Sequence, residues 1–290
     1  MYYSGIKLDP VLVKNLGGML FGALAEPDSK EAKTIAQAVE ELAKAKPGVR
    51  LDSAAMPLEG VQVYQYADPA KAMDAQLKLI EAMGAGTTFQ SGALKEKPKI
   101  QPKAEKYKGF ELTSVQLTWD FDKMMEQAGG AQQLPEEAKK QMVEMWKKLL
   151  GEKMNYWFGT DGKVVVQVIA KDWKSAEKLL DQYFTGKDTV GAVKEFADTR
   201  KEMPADATML VLVDVVRYAG VIVEVMKPMF GQFGAQLPAN FPAMPEKGKA
   251  TFMGVAVTLK ADRGSFDLFI STGAAQEFYK SFIAPFRGGN

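Results

Sequence analysis

Carboxylates carry most of the chemistry this chain can offer, because histidine and cysteine are both absent from its 290 residues. That absence excludes Ser-His-Asp and Cys-His nucleophilic mechanisms, cysteine zinc and iron–sulfur sites, and disulfides. Asp, Glu, Lys, Tyr, Ser and Thr remain. Three aspartates recur where an apolar, strand-like segment gives way to a helix-like one: Asp9 in "GIKLDPVLV", Asp120 in "VQLTWDFDKM" and Asp214 in "LVLVDVVRY". One catalytic site does not need three copies. Asp at such a junction accepts from an orphan helix N–H and complements the helix dipole, so capping is the reading adopted. The pairs Asp120/Asp122 and Glu136/Glu137 could serve acid–base work or a hard cation, and a carboxylate-dependent hydrolase would have to use them. Near helix starts, the same pairs act as dipole complements.

Nucleotide motifs fail on spacing. "GAG" at 84–86 lacks the third glycine and the strand–glycine–helix order, and "TGKDT" at 185–189 has Asp181 where a P-loop needs its first glycine. Neither a cofactor nor a metal is expected, and no catalytic residue is assigned. A different feature stands out in "MKPMFGQFGAQLPANFPAMP", residues 226–245: one charge, four prolines, and Met and Phe throughout. This stretch is too apolar for a solvent loop and too proline-broken for a helix. Met226, Met229, Phe230, Phe233, Phe241 and Met244 are therefore the candidate ligand- or partner-binding residues. They could equally cover the protein's own sheet as a proline-stiffened flap.

The elements that would position these groups show a period. "LEGV" around Gly60, "TDGKV" around Gly162 and "ADRGS" around Gly264 recur at an interval of about 100 residues, each between strand-like segments. Registering the following strands on the glycines aligns Gln62, Tyr64 and Tyr66 with Val164, Val166 and Val168, and with Phe266, Leu268 and Ile270. That alternation marks one mostly apolar sheet face. A helix follows each hairpin, with stripes at Met73, Leu77 and Ile80, at Trp173, Ala176 and Leu180, and at Ala275, Phe278 and Phe282. Asp68 and Asp172 stand at N-cap positions, with Pro69 at the first helical position. A second helix is expected in "EPDSKEAKTIAQAVEELAKAK" and in "LPEEAKKQMVEMWKKLL". The corresponding slot of the last third holds the proline-rich stretch, because "GAQQLP" (130–135) reappears there as "GAQLP" (234–238).

The fold expected is α+β: three tandem β-α-β-β-α repeats of about 100 residues, with mostly antiparallel sheet and helices packed on one face. Units span 1–91, 110–184 and 205–290. A Lys/Pro-rich connector with six lysines and two prolines joins the first two at 92–109, and a connector bearing a short helix joins the last two at 185–204. Whether the units close separately or merge into one sheet is open at this stage.

Composition sets the functional expectation. With 47% hydrophobic and 25% charged residues and a net charge of +1, the chain is ordinary for a globular protein and has no global field for nucleic acid or an anionic membrane. Its most apolar run, 208–230, is broken by Asp214, Arg217 and Glu224, which argues against a membrane span. Cysteine avoidance suits an exported protein, periplasmic or extracellular. "MYYSGIKLDP" lacks the basic and apolar regions of a signal peptide, so a trimmed, mature form is expected, with a cytoplasmic location as the alternative. The leading reading is a non-enzymatic binding or scaffold module with a protein partner. The alternatives are a carrier of a lipid-like apolar or amphipathic small molecule held between sheet and helices, and the hydrolase.

Overall fold

The computed structural model describes residues 2–8, 10–11, 13–15, 29–55, 58–84, 87–89, 92–127, 135–187, 189–230, 250–260 and 262–284. The first third carries strand β1 (Tyr2–Lys7), helix α1 (Lys30–Lys44), the hairpin β2 (Pro47–Ala55) and β3 (Glu59–Tyr66), and helix α2 (Pro69–Glu81). Short strands β4 (Thr88–Phe89) and β5 (Gly92–Ala93) pair with each other and lead into β6 (Lys99–Tyr107). Next come β7 (Phe110–Thr118), helices α3 (Phe121–Gln127) and α4 (Glu136–Leu150), the hairpin β8 (Lys153–Thr160) and β9 (Val164–Ala170), and α5 (Trp173–Thr185). A 3₁₀ turn (Val190–Ala192) and α6 (Lys194–Lys201) precede β10 (Met209–Asp214), α7 (Val215–Phe230), β11 (Phe252–Leu259), β12 (Gly264–Ile270) and α8 (Thr272–Phe278).

Local chemistry explains where the helices start. Side chains of Ser29, Asp68, Asp172 and Ser271 accept from backbone N–H groups three residues on, at 3.0, 3.0, 2.8 and 3.0 Å. Asp120 does the same for Lys123 N at 3.0 Å. Asp214 does more than cap. It is fully buried and accepts from Arg217 N at 3.4 Å, Thr251 N at 3.3 Å and Thr251 Oγ1 at 3.2 Å, tying the start of α7 to the entry of β11. Asp9 lies outside the described residues.

Ten strands form one antiparallel sheet in the order β12-β11-β10-β1-β2-β3-β9-β8-β7-β6. The open question is thereby answered: three consecutive meanders share a single sheet, joined where β1 meets β10 and β3 meets β9. The architecture is α+β and antiparallel, as expected. The Lys/Pro-rich stretch supplies β6, which pairs with β7 at the sheet's edge.

Two expectations are corrected. Helices cover both faces of the sheet, not one. On the front, α1 and α2 bury Ile35, Ala38, Leu79 and Ile80 against Val115, Leu117, Tyr156 and Phe158. On the back, α5 buries Ala176 and Leu180 against Val61, Leu112, Trp157, Val166 and Val168, while α6 sets Phe196 against Leu210, Leu212 and Phe252. β9, "VVVQVIA", is apolar on both faces, and the adjacent Val165 and Val166 are buried on opposite sides.

The glycine register also fails. Gly162 lies in its turn with φ +86°, with Asp161 accepting from Lys163 N and Val164 N at 2.9 and 3.0 Å. Gly60 and Gly264 instead lie in strands, paired with Ala54 and Leu259. A side chain at Gly60 would run into the Ser53 carbonyl oxygen, so close approach rather than backbone conformation demands glycine there. As a result Gln62, Tyr64 and Tyr66 point to the front, whereas Val166 and Val168 share the back with Val61 and Val63. An odd offset between turn and strand turns every side chain over.

Candidate binding site

The back face has a gap in its roof. Helix α5 lies over β3 and β9, α6 over β10 and β11, and the floor between them is β1, β2 and β3. Two inward positions on that floor are small, Ser53 and Ala55 on β2. Small residues beneath separated helices leave volume unfilled, here a cavity of about 460 Å³. Tyr3, Leu51, Val61 and Val63 complete the floor, and Leu179, Gln182, Tyr183, Val190 and Phe196 form the walls. Gly186, in the left-handed conformation at φ +66°, ends α5 and releases the chain to build the far wall. Phe196 meets the Tyr3 ring edge-on at 5.3 Å, which fixes both aromatic borders.

The cavity's polarity is one-sided. Its lining holds no lysine or arginine among the described residues, and Glu59 is the carboxylate that shares the inward face with Val61. Asp52 also borders it, but its carboxylate is held on the front of the sheet by Ser4 and Arg50. Burial raises the Tyr3 phenol above its ordinary range, against an opposing pull from Arg200, and burial likewise raises Tyr183. Both hydroxyls are therefore neutral donors at pH 7. Gln182, Ser53 and Thr189 add uncharged polar groups. A mostly apolar concavity with a few polar groups and one acidic end is what an amphipathic small molecule requires.

Directly behind the cavity, the front of the same strands carries a buried polar network. Ser4 Oγ donates to Asp52 Oδ2 at 2.8 Å, and Arg50 Nε donates to Asp52 Oδ1 and Oδ2 at 3.0 and 2.9 Å. The Arg50 guanidinium sits 5.2 Å from the Tyr64 ring centroid, and Tyr64 donates its hydroxyl to Gln62 Oε1 at 2.8 Å. Burial pushes the Tyr64 phenol up, and that of Tyr66 up to about 12. The network joins β1, β2 and β3 and so holds the cavity floor in register.

The carboxylates singled out in the sequence are placed differently. Asp122 and Glu136 line a shallow groove of about 450 Å³ between α3 and α4, together with Glu126, Lys139 and Lys140. Glu136 accepts from Lys139 at 2.7 Å, and that hydrogen bond holds its carboxyl below the usual range, the wrong direction for a general acid. No group of three potential metal ligands occurs among the described residues.

Of the candidate binding residues, Met226, Met229 and Phe230 fall in the last turns of α7, which runs through Pro228. The stretch read as too proline-broken for a helix thus begins in one. Phe233, Phe241 and Met244 lie outside the described residues. Sequence reasoning missed the cavity. Its signal was the pair of small inward residues Ser53 and Ala55 in β2, which identifies a pocket only once the helices above are placed.

No helix among the described residues is long and apolar enough to cross a membrane. No family model matches the chain, and no curated protein or solved structure matches it either.

Proposed function

We propose that this is a non-enzymatic binding protein whose back-face cavity holds an amphipathic small molecule. The ligand's apolar body would lie along Val61, Val63, Leu179 and Phe196, with an amine or other hydrogen-bond-donating head toward Glu59. One observation carries the reading: a cavity of about 460 Å³ between sheet and helices, apolar along its length, with Glu59 and, among the described residues, no lysine or arginine in its lining. Mass spectrometry of organic extracts from the purified protein tests it directly, by asking for a stoichiometric ligand. Nile red supplies a neutral probe for titration. A long-chain primary amine should displace it at least tenfold better than the matching fatty acid, and Glu59→Gln should reduce that preference. Ser53→Phe, which fills the floor, should abolish capture. An empty protein whose probe binding is untouched by Ser53→Phe would overturn the reading.

A second reading, a scaffold for a protein partner, is favoured by Phe266, Leu268 and Ile270, which are exposed on the front of the outermost strand. In either case we infer export, on the absence of cysteine. We read the three meanders as β-α-β-β-α units at 1–91, 110–184 and 205–290, linked through 92–109 and 185–204. Met226, Met229, Phe230, Phe233, Phe241 and Met244 remain the contact residues proposed from the sequence, to be tested by changing Phe241 and Met244 together to Ser. A loss of several kcal/mol would mark a self-covering flap, and unchanged stability with lost capture a docking surface.

A further inference from the structure

The two edges of the sheet are built to opposite rules. β6 presents Lys99, Lys103 and Lys106, contains Pro102, and breaks register with β7 between Gln101 and Glu105, where Lys103 takes φ +51°. Lysine, proline and an irregular ladder on an edge strand prevent another strand from adding to it. β12, "GSFDLFI", has none of these devices and stays in unbroken register with β11 from Gly264 to Ile270. It also leaves large apolar side chains in water: Phe266, Leu268 and Ile270 are 67%, 56% and 48% exposed, all on the front face. Phe266 lies beside Val257 and Met209 across the strands, and Leu268 beside Val255 and Val211. The apolar surface therefore continues inward from the edge.

We propose that β12 pairs antiparallel with β12 of a second copy of this chain, about a two-fold axis through Leu268, merging two ten-stranded sheets into one. Self-pairing is favoured because this strand is its own complement in that register. Phe266 of one copy faces Ile270 of the other, Leu268 faces Leu268, and Asp267 faces Phe269, so every front-face pair is apolar and no like charges meet. A register shifted to centre on Asp267 sets two carboxylates opposite each other and is disfavoured. The contact is isologous, as a closed dimer requires. Backbone pairing over Phe266–Ile270 with three large side chains per copy removes on the order of 1,000 Å² in total, the lower end for a specific interface, so dissociation in the micromolar range is expected.

Sedimentation velocity on the full chain, diluted from about 100 µM to about 0.1 µM, should show dimer giving way to monomer. Leu268→Lys places two like charges on the axis and should weaken association at least a hundredfold. At concentrations where the wild type is also monomeric, its thermal midpoint should match the wild type, because the side chain is already more than half exposed. The register has its own test. Phe266→Lys with Ile270→Glu puts opposite charges face to face across the axis and should retain the dimer, whereas Phe266→Lys with Ile270→Lys should not. A chain that is monomeric at every concentration, or whose dimer survives Leu268→Lys, would overturn the proposal. So would a monomer that uses this face only for a different protein.

Discussion

Replacing Arg50 with Met tests whether the polar network under the cavity is held by the ion pair or merely tolerated by the sheet. Methionine keeps most of the aliphatic stem and deletes the cation, leaving the Asp52 carboxylate, 2% exposed, with the Ser4 hydroxyl still donating to it at 2.8 Å. Removing one partner of a buried pair costs about 3–5 kcal/mol. The Arg50 side chain is 33% exposed, so water can reach the vacated space, and the lower end, about 3 kcal/mol, is expected. This figure includes about 0.5–1 kcal/mol for the lost contact with the Tyr64 ring. Adding Asp52→Val removes the stranded charge with a residue that strands accommodate. The double variant should then lie within about 1 kcal/mol of wild type, the residual being the Ser4 hydroxyl without its acceptor. Urea unfolding at pH 7 followed by circular dichroism measures both values, and an unchanged m-value shows that the denatured state is unaffected. The single and double variants should thus be strongly non-additive. Two results would refute the reasoning: a cost below about 1 kcal/mol for Arg50→Met, or a double variant at least as unstable as the single one.

The pH profile of stability should be a plateau with two shoulders. With no histidine, the thermal midpoint should hold steady from about pH 6 to 8, and a steep change there would reveal a perturbed buried group. On the acid side, Asp172 is held low by the Ser175 backbone N–H and Asp198 by the hydrogen bond from Lys194. Their contributions are present above the unfolded carboxylate value of about 4 and fade as pH falls through the lower folded values. On the alkaline side, burial raises Tyr64, Tyr66 and Tyr156, so stability is complete below about pH 10 and is lost as pH rises through the higher folded values. Ultraviolet titration should show these phenols ionising late and together with unfolding. Phe158→Ala should cost about 3–5 kcal/mol in the same denaturation assay, because the ring is 1% exposed in the front core and backbone on both sides prevents collapse.

Sequence alone settled what short-range chemistry settles. Absent histidine and cysteine excluded whole reaction classes. Ser and Asp at helix starts, alternating apolar strands and an Asp-Gly turn specified caps, hairpins and the α+β antiparallel class, because each depends on groups within a few residues of one another. The tertiary structure decided which face each strand shows to which helix, since an odd offset between turn and strand sent Tyr64 forward and Val166 backward from superficially matching motifs. It also decided that β1 joins β10 and that β3 joins β9, pairings that no local signal encodes. The cavity arises from those long-range choices. Ser53 and Ala55 are ordinary small residues in the chain, and they become a floor only where α5 and α6 settle apart above them. Burial is a property of what the rest of the fold brings overhead, and a strand's own residues do not carry that information.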